Sequence, residues 1–299
     1  MKNQRLLFII LFVVSALLGL EYIRGKVKTN PTEEGKEKTE KTETNNKETQ
    51  EEPKISAADS IAKLYAPTAF KEEQLKIARV KSSDREKRVA LAKLYEEKKL
   101  DEFSLELYFR AFKEEKLIEV WARDKNKPAF LLLKTFDICK TSGKLGPKRR
   151  EGDKQIPEGF YRFTDFNPES KFFLSLKVNY PNRADELLGD TSNIGSEIYV
   201  HGDCVTTGCI PITDDKIKEL YLMAVDAKSA GQARIPITIF PMKLTEENFK
   251  TLEEKYANEP KLISLWKSLK DGYLMFNKCN KLPSITITTK GEYVCKSGC

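Results

Sequence analysis

The sequence has 299 residues, 40% hydrophobic, 32% charged and 10% aromatic, enough for one large domain or two small ones. Its net charge of +7 is spread over interleaved Lys, Arg, Asp and Glu, and only Lys148, Arg149 and Arg150 cluster. With no basic stripe there is no footprint of a nucleic-acid binder, and no nucleotide or redox cofactor motif occurs.

In chain order, Lys2 and Arg5 precede an apolar run from Leu6 to Leu20 that stops at Glu21. Basic residues before such a run read as an export signal, and the run is shorter than the roughly 20 residues of a full span. Two readings stay open for residues 1–25: a cleaved signal, or a membrane anchor extended over residues 6–23. The absence of a small-x-small cleavage site favours the anchor. Either way an exported protein of the periplasm or cell envelope is expected, with the membrane as a partner of this segment. Residues 26–54 hold seven Lys and eight Glu and almost nothing apolar. They read as a disordered tether with a reach of roughly 30 Å.

Residues 55–104 read as a helical lead-in, with Ile61, Leu64 and Tyr65 on one face and Val89, Leu91, Ala92 and Tyr95 on another. At Leu105 the period changes to two. Leu105, Leu107, Phe109 and Ala111 alternate with Glu106, Tyr108, Arg110 and Phe112, and further strands are expected over Leu117–Trp121 and Phe130–Ile138. The stretch from Ser142 to Gly159, rich in Gly, Pro and charge, predicts a loop. Strands resume at Tyr161–Phe163, Phe172–Val178 and Glu197–His201. Thr213, followed by Asp214 and Asp215, caps a helix whose apolar face is Ile217, Leu220, Tyr221, Ala224 and Val225. A strand at Ile235–Phe240 follows, then helices starting after Thr245 and at Pro260, and a hairpin over Ile285–Cys295 turning near Gly291. The expected fold class is α+β: a mainly antiparallel core at residues 105–242, with helical extensions before it and a helical and hairpin extension at 243–299.

Chemistry concentrates in Ile198–Thr213, IYVHGDCVTTGCIPIT. His201 is the only histidine in the chain, and Cys209 follows Gly208 eight residues later, on what reads as a turn into a helix. A thiol needs a base or cation in reach to become a nucleophile, and imidazole can take its proton and return it. Gly208 leaves room for a substrate carbonyl, and the N–H groups of Gly208 and Cys209 are candidate oxyanion donors. Six cysteines (139, 204, 209, 279, 295 and 299) sit in an oxidising setting, with connectivity not deducible from sequence. Cys204 reads as a small buried residue or a disulfide partner. Cys279, Cys295 and Cys299 read as staples of the C-terminal extension, with one unpaired or joined to Cys139.

The segment HGDCVTTGCIPIT resembles the active-site segment of the L,D-transpeptidase catalytic-domain (YkuD) family, most of all its YafK-like branch. The upstream stretches SGKLGPKRREGDKQIPEGFYRF, Phe173–Leu176 and Asn179–Asn182 also resemble that branch, over about Leu105 to Pro241. The resemblance implies an L,D-transpeptidase-like catalytic core acting on peptidoglycan stem peptides, with no cofactor and no metal. It implies Cys209 as the nucleophile that attacks a diaminopimelate carbonyl, His201 as its base, and a substrate-facing neighbourhood of Gly202, Thr206 and Thr207. Pro211 departs from the pattern, because the family carries Arg there, where a guanidinium can grip a carboxylate. Lys148, Arg149, Arg150 and Arg183 are the candidate replacements, each weighed against an ordinary solvated surface charge. The same branch is associated with hydrolysis of the amide to a wall-linked lipoprotein, so the acyl acceptor, amine or water, stays open. Two rival readings are a zinc site at His201, Cys204 and Cys209, whose spacing fits no standard knuckle, and a non-catalytic wall-binding module.

Overall fold

The computed structural model describes residues 69–299. The expected signal or anchor, the charged tether and the Ile61, Leu64 and Tyr65 face lie outside the described residues. Among the described residues no helix is long and apolar enough to cross a membrane.

Two helices lead in, α1 (Ala69–Lys76) and α2 (Ala78–Glu97). The sheet strands are β1 (Leu105–Phe112), β2 (Leu117–Asp124), β3 (Leu131–Asp137), β4 (Gly159–Asn167), β5 (Ser175–Val178), β6 (Tyr199–His201), β7 (Ile210–Pro211) and β8 (Ile235–Phe240). Between them lie α3 (Arg183–Leu188) and α4 (Asp214–Ser229), and after β8 come α5 (Glu246–Lys255), α6 (Pro260–Cys279) and the hairpin β9 (Ser284–Ile287) and β10 (Tyr293–Lys296). The eight strands form one sheet in the order β3-β2-β1-β8-β4-β5-β6-β7. Pairing is antiparallel except for β1 with β8 and β6 with β7. The α+β class is as expected.

Period two in β1 does not separate a wet face from a dry one, because seven of its eight residues are buried. Leu107, Phe109 and Ala111 face the core beneath α4, whereas Tyr108 and Phe112 pack with residues of α6 on the other face. A central strand covered on both sides has no water-facing half. The same layering explains α4. Its first turn matches expectation, with Thr213 accepting from Lys216 N–H and two aspartates at the positive end. Leu222, Met223 and Ala227 are nevertheless buried along with the expected face, because α2 and α1 lie over the outer side and the helix is enclosed. In α2 itself the proposed face is corrected: Leu91 and Tyr95 are buried, while Val89 is 81% exposed and Ala92 is also exposed. Residues 91 and 95 sit one above the other at i,i+4, and residue 89 lies nearly opposite them.

Two elements that position the site are not visible as periodicity. One is α3, held by a capping box in which the Asn182 side chain accepts from Ala184 and Asp185 N–H and Asp185 accepts from Asn182 N–H. The other is β7, two residues long, which intervenes between Cys209 and α4 where a direct turn into the helix was expected.

Candidate active site

The register of β6 and β7 brings the two candidate residues together. Val200 pairs with Ile210 and His201 with Pro211, in parallel. Val200 and Ile210 point into the core, so His201 and Pro211 share the opposite face, and Cys209 stands in the bend immediately before β7. The pairing of β6 with β7 thus sets the bend that carries Cys209 next to the strand that ends in His201.

His201 is 1% exposed and stacks on Phe172, with ring centroids 4.6 Å apart. Its Nδ1 meets the carbonyl of Gly202. A carbonyl only accepts, so Nδ1 carries the proton and Nε2 is the basic nitrogen. Burial holds the imidazole below its ordinary value of 6.5, against smaller opposing effects of the Gly202 carbonyl and Asp203. Cys209 is partly buried, its Sγ 3.5 Å from the Glu197 carbonyl oxygen. Burial pushes its thiol above the ordinary 9.0, while the Tyr199 N–H, Lys148 and Lys171 act in the opposite direction. At neutral pH both groups rest uncharged, the imidazole as a free base and the sulfur as a thiol.

The turn before Cys209 is built by Thr206 and Gly208. Thr206 Oγ1 donates to the Cys209 carbonyl at 2.7 Å and accepts the Gly208 N–H at 3.1 Å. Gly208 has φ +137°, and a Cβ there would lie 3.1 Å from the Gln155 carbonyl oxygen. Because its N–H is already donated to Thr206, Gly208 is corrected as an oxyanion donor, which leaves the Cys209 N–H of the pair. Gly202 is a close-packing position: a Cβ would meet Asp214 Oδ1 at 2.5 Å. Asp203 N–H donates to that same oxygen, so the loop after His201 is tied to the start of α4. Thr207 is exposed.

Disulfides fix the frame. Cys204 is bonded to Cys139 and Cys279 to Cys299, while Cys209 and Cys295 are free. The buried-thiol reading of Cys204 is therefore replaced by the disulfide one, and a zinc site using Cys204 is overturned, since that sulfur is no thiolate. Cys139 N–H also donates to the Pro211 carbonyl, so the end of β3 clamps the segment on both sides of Cys209.

The four cationic candidates separate. Lys148 is not a solvated charge: its Nζ is buried, 2.8 Å from both Asp153 Oδ1 and the Arg150 carbonyl, and Cys209 senses it. Arg149 reaches Asp185 at 3.4 Å, Arg150 is exposed, and Arg183 pairs with Glu186 on the surface. Sequence reasoning missed Lys171 and Phe172, one acting electrostatically on Cys209 and the other stacking on His201. Both lie in the turn before β5, whose sequence carries no spacing signal.

With this geometry in hand, the comparisons with known proteins are direct. The profile of the YkuD L,D-transpeptidase catalytic domain matches residues 108–239. The chain is 34% identical over 190 residues to YafK of Escherichia coli strain K12, a protein provisionally assigned as an L,D-transpeptidase, covering 63% of this chain and 73% of that protein. The chain belongs to the L,D-transpeptidase catalytic-domain family, and membership supports a peptidoglycan-modifying enzyme. Among solved structures, the helical cell shape determining protein Pgp2 of Campylobacter jejuni aligns with a TM-score of 0.37 at 15% identity, over 62% of this chain and 73% of that one. Bd1075 of Bdellovibrio bacteriovorus aligns with a TM-score of 0.34 at 21% identity, over 61% and 77%.

Proposed function

We propose that the protein is a cell-envelope L,D-transpeptidase whose Cys209 forms an acyl-enzyme with a diaminopimelate residue of a peptidoglycan stem peptide. The observation that supports this reading is the pairing of β6 with β7, in a chain of this family, next to a buried neutral imidazole at the end of β6 and a half-buried thiol just before β7. Nε2 of His201 takes the proton of Cys209 Sγ as the sulfur attacks the diaminopimelate carbonyl. The Cys209 N–H receives the developing oxyanion. Collapse expels the amine of the departing residue, which leaves with the proton held on His201, and a thioester remains. An incoming nucleophile then gives its proton to His201, attacks the thioester and releases the thiol.

Pro211 supports a second outcome of the same chemistry. A proline at this position offers no guanidinium to grip an acceptor strand, and its carbonyl is occupied by Cys139 N–H. Water as the nucleophile would make the enzyme a hydrolase, of L,D cross-links or of the amide to a wall-linked lipoprotein. The N-terminal apolar segment would hold it at the membrane, in the periplasm or envelope. Incubating the protein with sacculi and isolated stem peptides, followed by mass spectrometry, separates the outcomes. New L,D cross-links support transfer. Release of a Lys-bearing peptide or loss of cross-links supports hydrolysis. No change of either kind, with Cys209 still alkylatable, contradicts both.

A further inference from the structure

Across Gln155 from the Cys209 turn lies a groove whose far wall comes from beyond the matched family segment. Two cavities of about 500 and 320 Å³ adjoin, sharing Arg149, Lys261 and Leu265. One wall is the loop from Lys144 to Gln155. The other is the start of α6 together with the hairpin turn at Lys290–Glu292. Gln155 lines the first of them, and its carbonyl oxygen is the atom that a Cβ at Gly208 would meet at 3.1 Å, so one residue separates that cavity from the residue preceding Cys209.

Both walls are locked together by buried charge. Lys113 Nζ donates to the carbonyls of Lys144, Gly146 and Ile156 at 2.8–3.0 Å and pairs with Glu158 at 2.8 Å. Glu158 in turn accepts the Gly146 N–H and the Trp266 Nε1–H, the latter from α6. The groove is therefore formed before any ligand arrives, which lowers the ordering cost of binding. Its charge is lopsided. Lys144, Arg149, Lys261 and Lys290 line it against Glu259 and Glu292, and both Lys261 and Lys290 are exposed at its edge.

We propose that this groove is the binding site for the stem peptide, with Lys261 and Lys290 facing its free carboxylates while the scissile carbonyl reaches Cys209; the assignment rests on the stem-peptide reading above. An unbranched peptide with several carboxylates matches a narrow, pre-formed channel edged by cations. It also supplies the cationic partner absent at Pro211, from a part of the chain that no active-site motif marks.

Isothermal titration of the tetrapeptide L-alanyl-γ-D-glutamyl-diaminopimelyl-D-alanine into the full-length Cys209→Ala protein tests this directly. Charge reversal by Lys261→Glu with Lys290→Glu is expected to weaken binding at least tenfold, and Lys261→Arg with Lys290→Arg to restore it to within about threefold. Reversal of two exposed lysines that line neither cavity, Lys93→Glu with Lys250→Glu, controls for net charge and should change the affinity less than threefold. Peptide binding that is unaffected by the groove reversal, or equally affected by the control, overturns the groove assignment and leaves the stem-peptide reading standing. If Cys209→Ala does not bind the tetrapeptide and the unaltered enzyme does not turn it over, the functional reading itself fails and the groove assignment with it.

Discussion

In the proposed reaction Cys209 and His201 start uncharged, and that sets how activity should depend on pH. His201 is held below its ordinary value by burial, so it is a free base throughout the neutral range and loses this role only as acidity protonates it. Cys209 is raised by burial, so the thiol persists to alkaline pH. The kcat/KM profile should therefore rise on an acid limb with a midpoint below 6.5 and stay level through pH 8. His201→Gln should cost on the order of 10²–10⁴-fold in kcat and remove that limb. An acid limb centred well above 6.5, or one unchanged in His201→Gln, would show that another group serves as base. This pair was legible in the sequence because a lone histidine and a Gly-Cys element sat eight residues apart. The hydrogen bonds that shape the site were not. That Thr206 occupies the Gly208 N–H, or that a main-chain carbonyl sets the imidazole tautomer, depends on the turn itself and on no spacing of residue types.

At the scale of elements, the loop from Lys144 to Ile156 depends on one buried ion pair. Lys113 and Glu158 are each nearly sealed from solvent, and between them they hold the loop carbonyls, the Gly146 N–H and the indole of Trp266. Removing one charge strands the other, at a cost of about 3–5 kcal/mol. Glu158→Gln should lower stability by that order in chemical denaturation and should reduce turnover even at temperatures where the protein stays folded. The helix α3 gives a second test. Asp185 completes its capping box and accepts from Tyr161 OH, but burial raises its carboxyl to about 6 from an ordinary 3.8. The folded state keeps a proton that the unfolded chain has lost, so this group's contribution is full below about pH 3.8 and disappears as pH rises through about 6. The loss is on the order of 3 kcal/mol, and Asp185→Asn should flatten stability across that window. Equal slopes in the two proteins would contradict the assignment. Neither device could be read from the chain. Glu158 stands in what looks like a polar loop, and its partners Lys113 and Trp266 are distant in sequence. The strands other than β7, and Thr213, Thr245, Pro260 and Gly291, by contrast, announced their elements through period and capping chemistry.

For the molecule as a whole, the sheet is covered on both faces, and the C-terminal segment is one of the covers. Trp266, Leu269 and Tyr273 of α6 pack on Phe112 and Phe240, while α4 and α2 close the other side. Alternation along β1 marked a strand and not its covering, because sequence period reports side-chain direction and not what lies over each face. The candidate nucleophile therefore stands immediately before β7, the strand at one edge of the sheet. The most direct test of its role is intact-protein mass spectrometry after brief mixing with the tetrapeptide stem. Cys209 should gain the mass of the tripeptide acyl group that remains once the terminal alanine has left, hydroxylamine should remove it, and Cys209→Ala should gain nothing. Release of alanine by Cys209→Ala at the rate of the unaltered enzyme, or turnover with the acyl group found on another residue, would contradict the mechanism.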